Sequence, residues 1–147
     1  MLEWTPELSV GVLEIDEQHR ELFLRINRLM EALDDRTAAA EVRTLFSFLD
    51  SYIIEHFGTE ARYMDEYARY GYPDAEHHKA EHAAFIRDFA EFRADIESAE
   101  PDHQFITEFK AWMKNWWLLH IRKVDTGFGA FLQNAFPMLA RKKIQTG

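Results

Sequence analysis

Apolar residues recur at intervals of three and four positions along most of this chain, a spacing typical of one face of an α-helix. The pattern falls into four long segments, separated by the pair Asp34-Asp35, by Gly71 with Pro73, and by Pro101. Glycine and proline end helices because glycine favours the left-handed conformation and proline lacks a backbone donor. The sequence therefore predicts four amphipathic helices in an all-α fold.

Short links between these helices favour an up-down-up-down four-helix bundle, because a short link makes consecutive helices antiparallel. Residues 1–15 contain Pro6 and Gly11 and show no helical period, so they are predicted to form an extended N-terminal arm. The bundle is assigned to residues 16–126, and residues 127–147 form a C-terminal extension. A short C-terminal helix is predicted in it from the spacing of Phe128, Phe131, Leu132, Ala135, Phe136 and Leu139.

Aspartates stand at three of the predicted helix starts. Asp16, Asp74 and Asp102 are each expected to act as an N-cap for the first, third and fourth helix. An N-cap carboxylate stabilises a helix by accepting a hydrogen bond from an otherwise free backbone N–H of the first turn.

The composition agrees with one helical domain and excludes several chemistries. The chain has 147 residues, a length suited to a single domain over residues 1–147, and only six Gly and four Pro. Its 47% hydrophobic residues are enough to form a sizeable core. It has no cysteine, which excludes disulfides, thiolate metal sites and thiol nucleophiles. Any metal must therefore bind nitrogen and oxygen ligands.

Charge and hydropathy argue against nucleic-acid and membrane partners. The formal net charge is −9, and the only tight basic cluster is Arg141-Lys142-Lys143. No segment approaches the roughly eighteen uninterrupted apolar residues of a membrane-spanning helix. Acidic Glu3 and Glu7 stand where a signal peptide needs positive charge. We expect a cytoplasmic protein that binds neither nucleic acid nor membrane.

Five of the seven histidines lie on helix faces predicted to point into the bundle. A lone histidine on an apolar face is usually a core residue hydrogen-bonded to its neighbours. Burying five of them, together with Glu60 one turn after His56, costs roughly a few kcal/mol each unless something binds them. A metal centre would satisfy them all. The five are His19, His56, His78, His82 and His120.

The remaining histidines are predicted to lie outside the site. His77 and Glu81 are four residues apart, as two ligands on one helix would be, but helical steps from them lead to acidic residues of a solvated face. His103 begins the fourth helix, about 17 residues before His120 and so roughly 25 Å away. These three residues are therefore rejected as ligands.

Four short motifs surround the selected histidines: IDEQHRELF, HFGTEARYM, HKAEH and HIRKVD. With Phe23, Phe57 and Ile121 in place beside them, they resemble the hemerythrins, in particular the stand-alone bacterial hemerythrin-like proteins. The resemblance covers about residues 4–130. It places seven metal-ligand positions in order: His19, His56, Glu60, His78, His82, His120 and Asp125.

The resemblance implies a non-haem di-iron centre with a bridging oxo or hydroxo group that binds dioxygen reversibly, and azide and nitric oxide are further small ligands to expect. It assigns His78, His82 and His120 to one iron and leaves an open position on the iron held by His19 and His56. Donor counting agrees, because five imidazoles, two bridging carboxylates and the bridging oxygen fill about eleven of roughly twelve octahedral positions. Only the resemblance selects iron over zinc or manganese.

We therefore expect oxygen carriage, storage or delivery rather than enzymatic catalysis. Oxygen or redox sensing is an alternative, as is an enzyme that reduces peroxide or nitric oxide at the open iron. A metal-loaded structural module without oxygen chemistry is a third. Imidazoles outnumber carboxylates five to two here, whereas oxygen-activating di-iron enzymes use carboxylate-rich ligand sets.

The spacing of the last two ligands predicts a local distortion. His120 and Asp125 are five residues apart, which leaves them about 140° out of register on a regular α-helix. We expect a widened π-type turn or a helix end between Leu119 and Asp125, since both side chains must face the site.

Trp117 stands where relatives of the resembled family commonly carry a pocket leucine. The predicted stripe of the fourth helix consists of Phe105, Phe109, Trp112, Met113, Trp116 and His120. Trp117 should lie about one turn before His120. Its indole either fills the core or changes the oxygen pocket.

Overall fold

The computed structural model describes residues 1–138, and most of them are helical. The long helices pack as neighbours, α1 against both α2 and α4, and α2 also against α3. The predicted up-down-up-down four-helix bundle and short C-terminal helix are confirmed. Within this range, no helix has the length and apolar character needed to cross a bilayer. The helices are α1 (Leu13–Asp34), α2 (Ala39–Glu66), α3 (Ala75–Ser98), α4 (His103–His120) and α5 (Thr126–Ala135).

The predicted apolar stripes form the core, with one shift on α4. Trp117 is fully buried, whereas Trp116 is half-buried at the edge of the core. The predicted stripe advanced by four residues from Trp112 to Trp116 to His120, and each such step drifts about 40° around a helix. Alternating steps of three and four stay on one face. The buried line is Ile106, Phe109, Met113, Trp117 and His120.

Two predicted N-caps hold the expected position, but only one makes the capping bond. Asp102 Oδ1 accepts a hydrogen bond from the Phe105 N–H at 2.7 Å and so caps α4. Asp74 precedes α3, yet its side chain makes no capping bond. Its backbone angles, φ −98° and ψ 13°, lie outside the extended region from which an N-cap side chain reaches the first turn.

Asp16 fastens the N-terminal arm instead of starting a helix. The prediction that it caps α1 is wrong, because α1 begins earlier, at Leu13. Its carboxylate accepts hydrogen bonds from the Ser9 hydroxyl at 2.5 Å and from the Val10 N–H at 2.8 Å. The arm therefore ends at residue 12, and Asp16 binds it back onto the first turn of α1.

The arm also packs closely against α5. A Cβ at Gly129 would lie 1.9 Å from the carbonyl oxygen of Val10, so only glycine allows the two backbones to approach this closely. About one helical turn further on, Gln133 donates a side-chain hydrogen bond to the carbonyl of Gly11 at 2.8 Å. The arm is thus held between α1 and α5.

Aromatic residues after α4 close the same end of the bundle. Phe128 is fully buried, with its ring centre 4.8 Å from that of Tyr72. Phe136, just beyond α5, lies 4.1 Å from Tyr67. Leu139 and the basic residues 141–143 lie outside the described residues.

Substituting Gly129 with alanine should loosen this end of the bundle. We expect Gly129→Ala to lower the free energy of unfolding by about 1–3 kcal/mol, because the new methyl group overlaps the arm backbone. Chemical denaturation measures the change. Gly127→Ala is the matched control, since among residues 1–138 no atom outside the adjoining helix backbone lies within 4 Å of its added Cβ. The control should be neutral or stabilising by about 0.5–1 kcal/mol, and equal effects of the two substitutions would contradict the packing.

Candidate metal centre

Seven buried side chains bring nitrogen and oxygen atoms together inside the bundle. They form two groups, and within each group the possible ligand atoms all lie within 4.8 Å of one another. None of the seven is more than 5% exposed. The structure thus brings together every residue that the sequence predicted for the site: His19, His56, Glu60, His78, His82, His120 and Asp125.

The two groups share both carboxylates, Glu60 and Asp125. One group has only two imidazoles, from His19 and His56. The other has three, from His78, His82 and His120. The shared carboxylates therefore lie between two sets of imidazoles of unequal size.

Helical spacing directs these side chains inward. Glu60 follows His56 by four residues on α2, and His82 follows His78 by four residues on α3, so each pair lies on one helix face. α1 contributes His19, and α4 ends at His120. Because all four helices contribute, the site depends on the assembled bundle.

A π-helical turn positions Asp125. It spans Ile121–Asp125, between α4 and α5. The wider turn brings Asp125 Oδ1 to 3.1 Å from His120 Nε2, although a regular α-helix would separate the two side chains by about 140°. The predicted π-type distortion is confirmed.

Five polar atoms at the centre of the cluster make no hydrogen bond to the described residues. His78 Nε2 is 2.9 Å from Glu60 Oε2 and 2.9 Å from Asp125 Oδ1. Among residues 1–138, neither this nitrogen nor any of the four carboxylate oxygens makes a hydrogen bond. Buried polar atoms without partners destabilise a protein, so they are rare. Lone pairs that converge in this way fit a metal cation.

The two carboxylates control protonation of the cluster. Burial alone would raise the pKa of Glu60, but neighbouring imidazoles outweigh it and hold that pKa well below its usual range. The pKa of Asp125 is likewise held low by His120 and His19, against burial and the charge of Glu60. Burial lowers the pKa of His19 and His78, but both carboxylates outweigh it and raise each value to about 9. Two ionised carboxylates thus draw compensating positive charge into the core.

The fold and the site have counterparts in known proteins. The model of the family described as "Hemerythrin HHE cation binding domain" matches residues 10–132. The chain belongs to the hemerythrin family. Membership indicates a non-haem iron protein that binds oxygen, in a family whose members are generally not enzymes.

Individual hemerythrins match almost the whole chain. The bacteriohemerythrin of Pseudomonas aeruginosa (strain LESB58) is 29% identical over 146 residues, covering 99% of this chain and 91% of the relative. That of Stenotrophomonas maltophilia (strain R551-3) is 29% identical over 142 residues, covering 97% and 88%. A crystal structure of wild-type hemerythrin matches with a TM-score of 0.77 and 27% identity, covering 90% of this chain and 98% of that one. The resemblance inferred from the motifs is confirmed.

Three histidines of this hemerythrin site have partners that the sequence did not reveal. Each partner contacts the outer ring nitrogen, Nδ1, and so leaves Nε2 directed at the centre. The amide oxygen of Gln18 and the carboxylate of Glu81 can only accept, which places the proton of a neutral imidazole on Nδ1, whereas the Tyr72 hydroxyl can accept or donate. The only signal in the sequence is that two of the partners directly precede a predicted ligand. The pairs are Gln18 with His56 at 2.8 Å, Tyr72 with His78 at 3.2 Å, and Glu81 with His120 at 3.0 Å.

The rejected histidines lie outside both groups. The His77 side chain is 68% exposed, and its Nε2 lies 2.7 Å from Glu81 Oε2 on the same helix. His103, at the start of α4, is also exposed. Neither can reach the buried carboxylates.

Metal content tests these positions. Protein produced with iron should carry about two ions per chain by elemental analysis, and His82→Ala should lose most of them because a buried imidazole of the larger group is removed. His77→Ala and His103→Ala are matched controls that should keep the metal. Equal losses in the three variants would contradict the site. Removing metal from the parent protein should also lower its melting temperature, because metal binds the folded state preferentially.

Proposed function

We propose that this chain binds dioxygen reversibly at a non-haem di-iron centre and serves in oxygen carriage, storage or delivery. The observation that carries the proposal is the overlap of two metal-holding groups at Glu60 and Asp125. A carboxylate with two oxygens can bridge two cations, whereas a single octahedral cation has only about six positions and cannot use all seven side chains. The proposed ligands are the seven residues of the two groups.

The unequal division of the imidazoles supports an open position. His78, His82 and His120 with both carboxylates and a bridging oxygen would supply six donors to one ion. His19 and His56 would leave the other ion one donor short. Two ferrous ions held by these residues would supply two electrons and a vacant position for dioxygen.

The protein's own contribution is to position the ligands and exclude water. His19 and His56 are fully buried, so bulk solvent does not reach the side of the site with fewer imidazoles. Gln18 and Tyr72 hold their histidines with Nε2 directed inward. Exclusion of bulk water favours reversible binding over further chemistry of the ligand.

We extend the proposal to the organisation of the chain, with residues 1–147 as one hemerythrin-like domain. The family match over residues 10–132 supports this. Cytoplasmic location stays a prediction, as does the absence of nucleic-acid and membrane partners.

A colour change tests the proposed function. Anaerobically reduced, iron-loaded protein should colour when air is admitted and bleach when oxygen is removed, through repeated cycles. Turnover of peroxide or nitric oxide with an electron donor would favour an enzyme, and no optical change would favour a structural module. His77→Ala should behave like the parent protein, whereas His82→Ala should not colour.

Trp117 borders the side of the site that has fewer imidazoles. Its ring centre lies 6.0 Å from that of His56 and 6.5 Å from that of His19, and it is fully buried. Its Nε1 makes no hydrogen bond to any residue that the structure describes. The indole thus fills space beside the proposed open position and keeps an unused donor there.

Replacing Trp117 with leucine should keep both metal ions but open the pocket. We expect the coloured species to decay roughly tenfold faster, a barrier lower by about 1.4 kcal/mol, with tighter azide binding, because water and small anions gain access. Stopped-flow mixing with oxygen measures the decay.

Two further variants separate the causes. Trp117→Phe keeps a ring but removes the N–H, so a decay like that of Trp117→Leu would assign the effect to the lost donor. Trp112→Leu is the control, because Trp112 packs among phenylalanines rather than site histidines. Unchanged decay and azide binding in Trp117→Leu would mean that the indole only packs the core.

A further inference from the structure

The acidic residue rejected as a ligand is in direct contact with one. Glu81 Oε1 lies 3.0 Å from His120 Nδ1, although Glu81 belongs to α3 and His120 ends α4. His120 is 2% exposed and the Glu81 side chain 30% exposed. A partly solvated carboxylate therefore touches the outer edge of a buried imidazole of the metal centre.

The contact determines which nitrogen of His120 faces the centre. A carboxylate can only accept, so the proton of a neutral His120 lies on Nδ1 and is donated to Glu81. Nε2 then carries the lone pair, and it lies 3.1 Å from His82 Nε2 and 3.1 Å from Asp125 Oδ1. The Glu81 contact thus presents His120 as a ligand.

The other half of the bundle has an equivalent contact with different chemistry. Gln18 directly precedes His19 on α1 but contacts His56 on α2, just as Glu81 directly precedes His82 on α3 but contacts a histidine of α4. The Gln18 amide also donates to the Thr59 hydroxyl at 3.0 Å, which leaves its oxygen to accept from His56. In the smaller group, the acceptor behind His56 is therefore a neutral amide. In the larger group, the acceptor behind His120 is a charged carboxylate.

From this geometry we propose that Glu81 is a positioning residue that makes the two halves of the centre electronically unequal. A carboxylate behind an imidazole increases the electron density on the ligating nitrogen more than a neutral amide does. The larger group therefore binds its metal more tightly and favours the more oxidised ion, whereas the smaller group stays the easier one to keep reduced. This inference rests on the metal centre of the proposed function. It assigns a role to Glu81, which is not one of the seven proposed ligands.

His77 completes the contact on the solvent side. Its Nε2 lies 2.7 Å from Glu81 Oε2, so one carboxylate oxygen faces His77 and the other faces His120. A surface cavity of about 220 Å³ borders the same place, lined by Glu81, Trp116, Leu119, His120, Lys123 and Val124. Each oxygen of Glu81 therefore has its own partner. Because the side chain is partly exposed beside this cavity, substituting it leaves the core packing intact.

Two substitutions at Glu81 separate hydrogen bonding from charge. Glu81→Gln can still accept from His120 but carries no charge, whereas Glu81→Ala loses both. We expect Glu81→Ala to weaken Fe²⁺ binding about 10–100-fold in anaerobic competition with a chromophoric chelator. Glu81→Gln should weaken it less and raise the midpoint potential of the centre, because a negative charge that favours the oxidised ion is gone.

The control removes the same charge without the contact. Glu91→Gln changes an exposed glutamate on α3. It should match the parent protein in affinity and potential. Parent-like affinity in Glu81→Ala, or an equal shift of potential in Glu91→Gln, would overturn the inference.

Neither measurement uses dioxygen, so the two proposals fail separately. A parent protein that binds no Fe²⁺ would overturn both. Normal Fe²⁺ binding with the expected Glu81 effects, but no colour in air, would overturn only the oxygen function.

Discussion

Two carboxylates buried in a helical core impose the constraint on which the rest of the structure depends. Glu60 is fully buried and Asp125 is 1% exposed, and neither side chain makes a hydrogen bond within residues 1–138. An ionised carboxylate is strongly destabilised away from water unless positive charge lies beside it. Five imidazoles surround the pair, and they either bind protons or share the carboxylates with metal cations. Metal cations at the centre would balance the charge of the two ionised carboxylates and allow the five imidazoles to stay neutral.

The N-terminal arm, α5 and several aromatic residues cover the end of the bundle near the metal centre and exclude water from the centre. The π-helical turn that delivers Asp125 leads directly into α5, and α5 holds the N-terminal arm through the close approach at Gly129. Phe128, in the first turns of α5, packs on His78 and on Tyr72, which is itself the partner of that histidine. Closure of the bundle and orientation of a ligand thus use the same residues.

Periodicity predicted the helices, the five site histidines and Glu60, because residues on the apolar face of a helix can be recognised within a single segment. Asp125 was predicted only through the resemblance to the hemerythrins. The five-residue spacing from His120 to Asp125 then predicted the π-helical turn. Contacts between helices were not predictable in this way. Glu81 lies on a face that reads as solvated along α3, and only the packing of α4 beside it brings it to His120. The start of α1 was misplaced because Asp16 binds the arm, a contact that helix-capping rules do not anticipate.

The shared carboxylates are the central claim, and anomalous diffraction from iron-loaded crystals at the iron absorption edge tests it most directly. Two peaks per chain are expected, one beside His78, His82 and His120 and the other beside His19 and His56. Glu60 and Asp125 should each lie at bonding distance from both. A single peak, or two peaks that do not share the carboxylates, would contradict the di-iron centre.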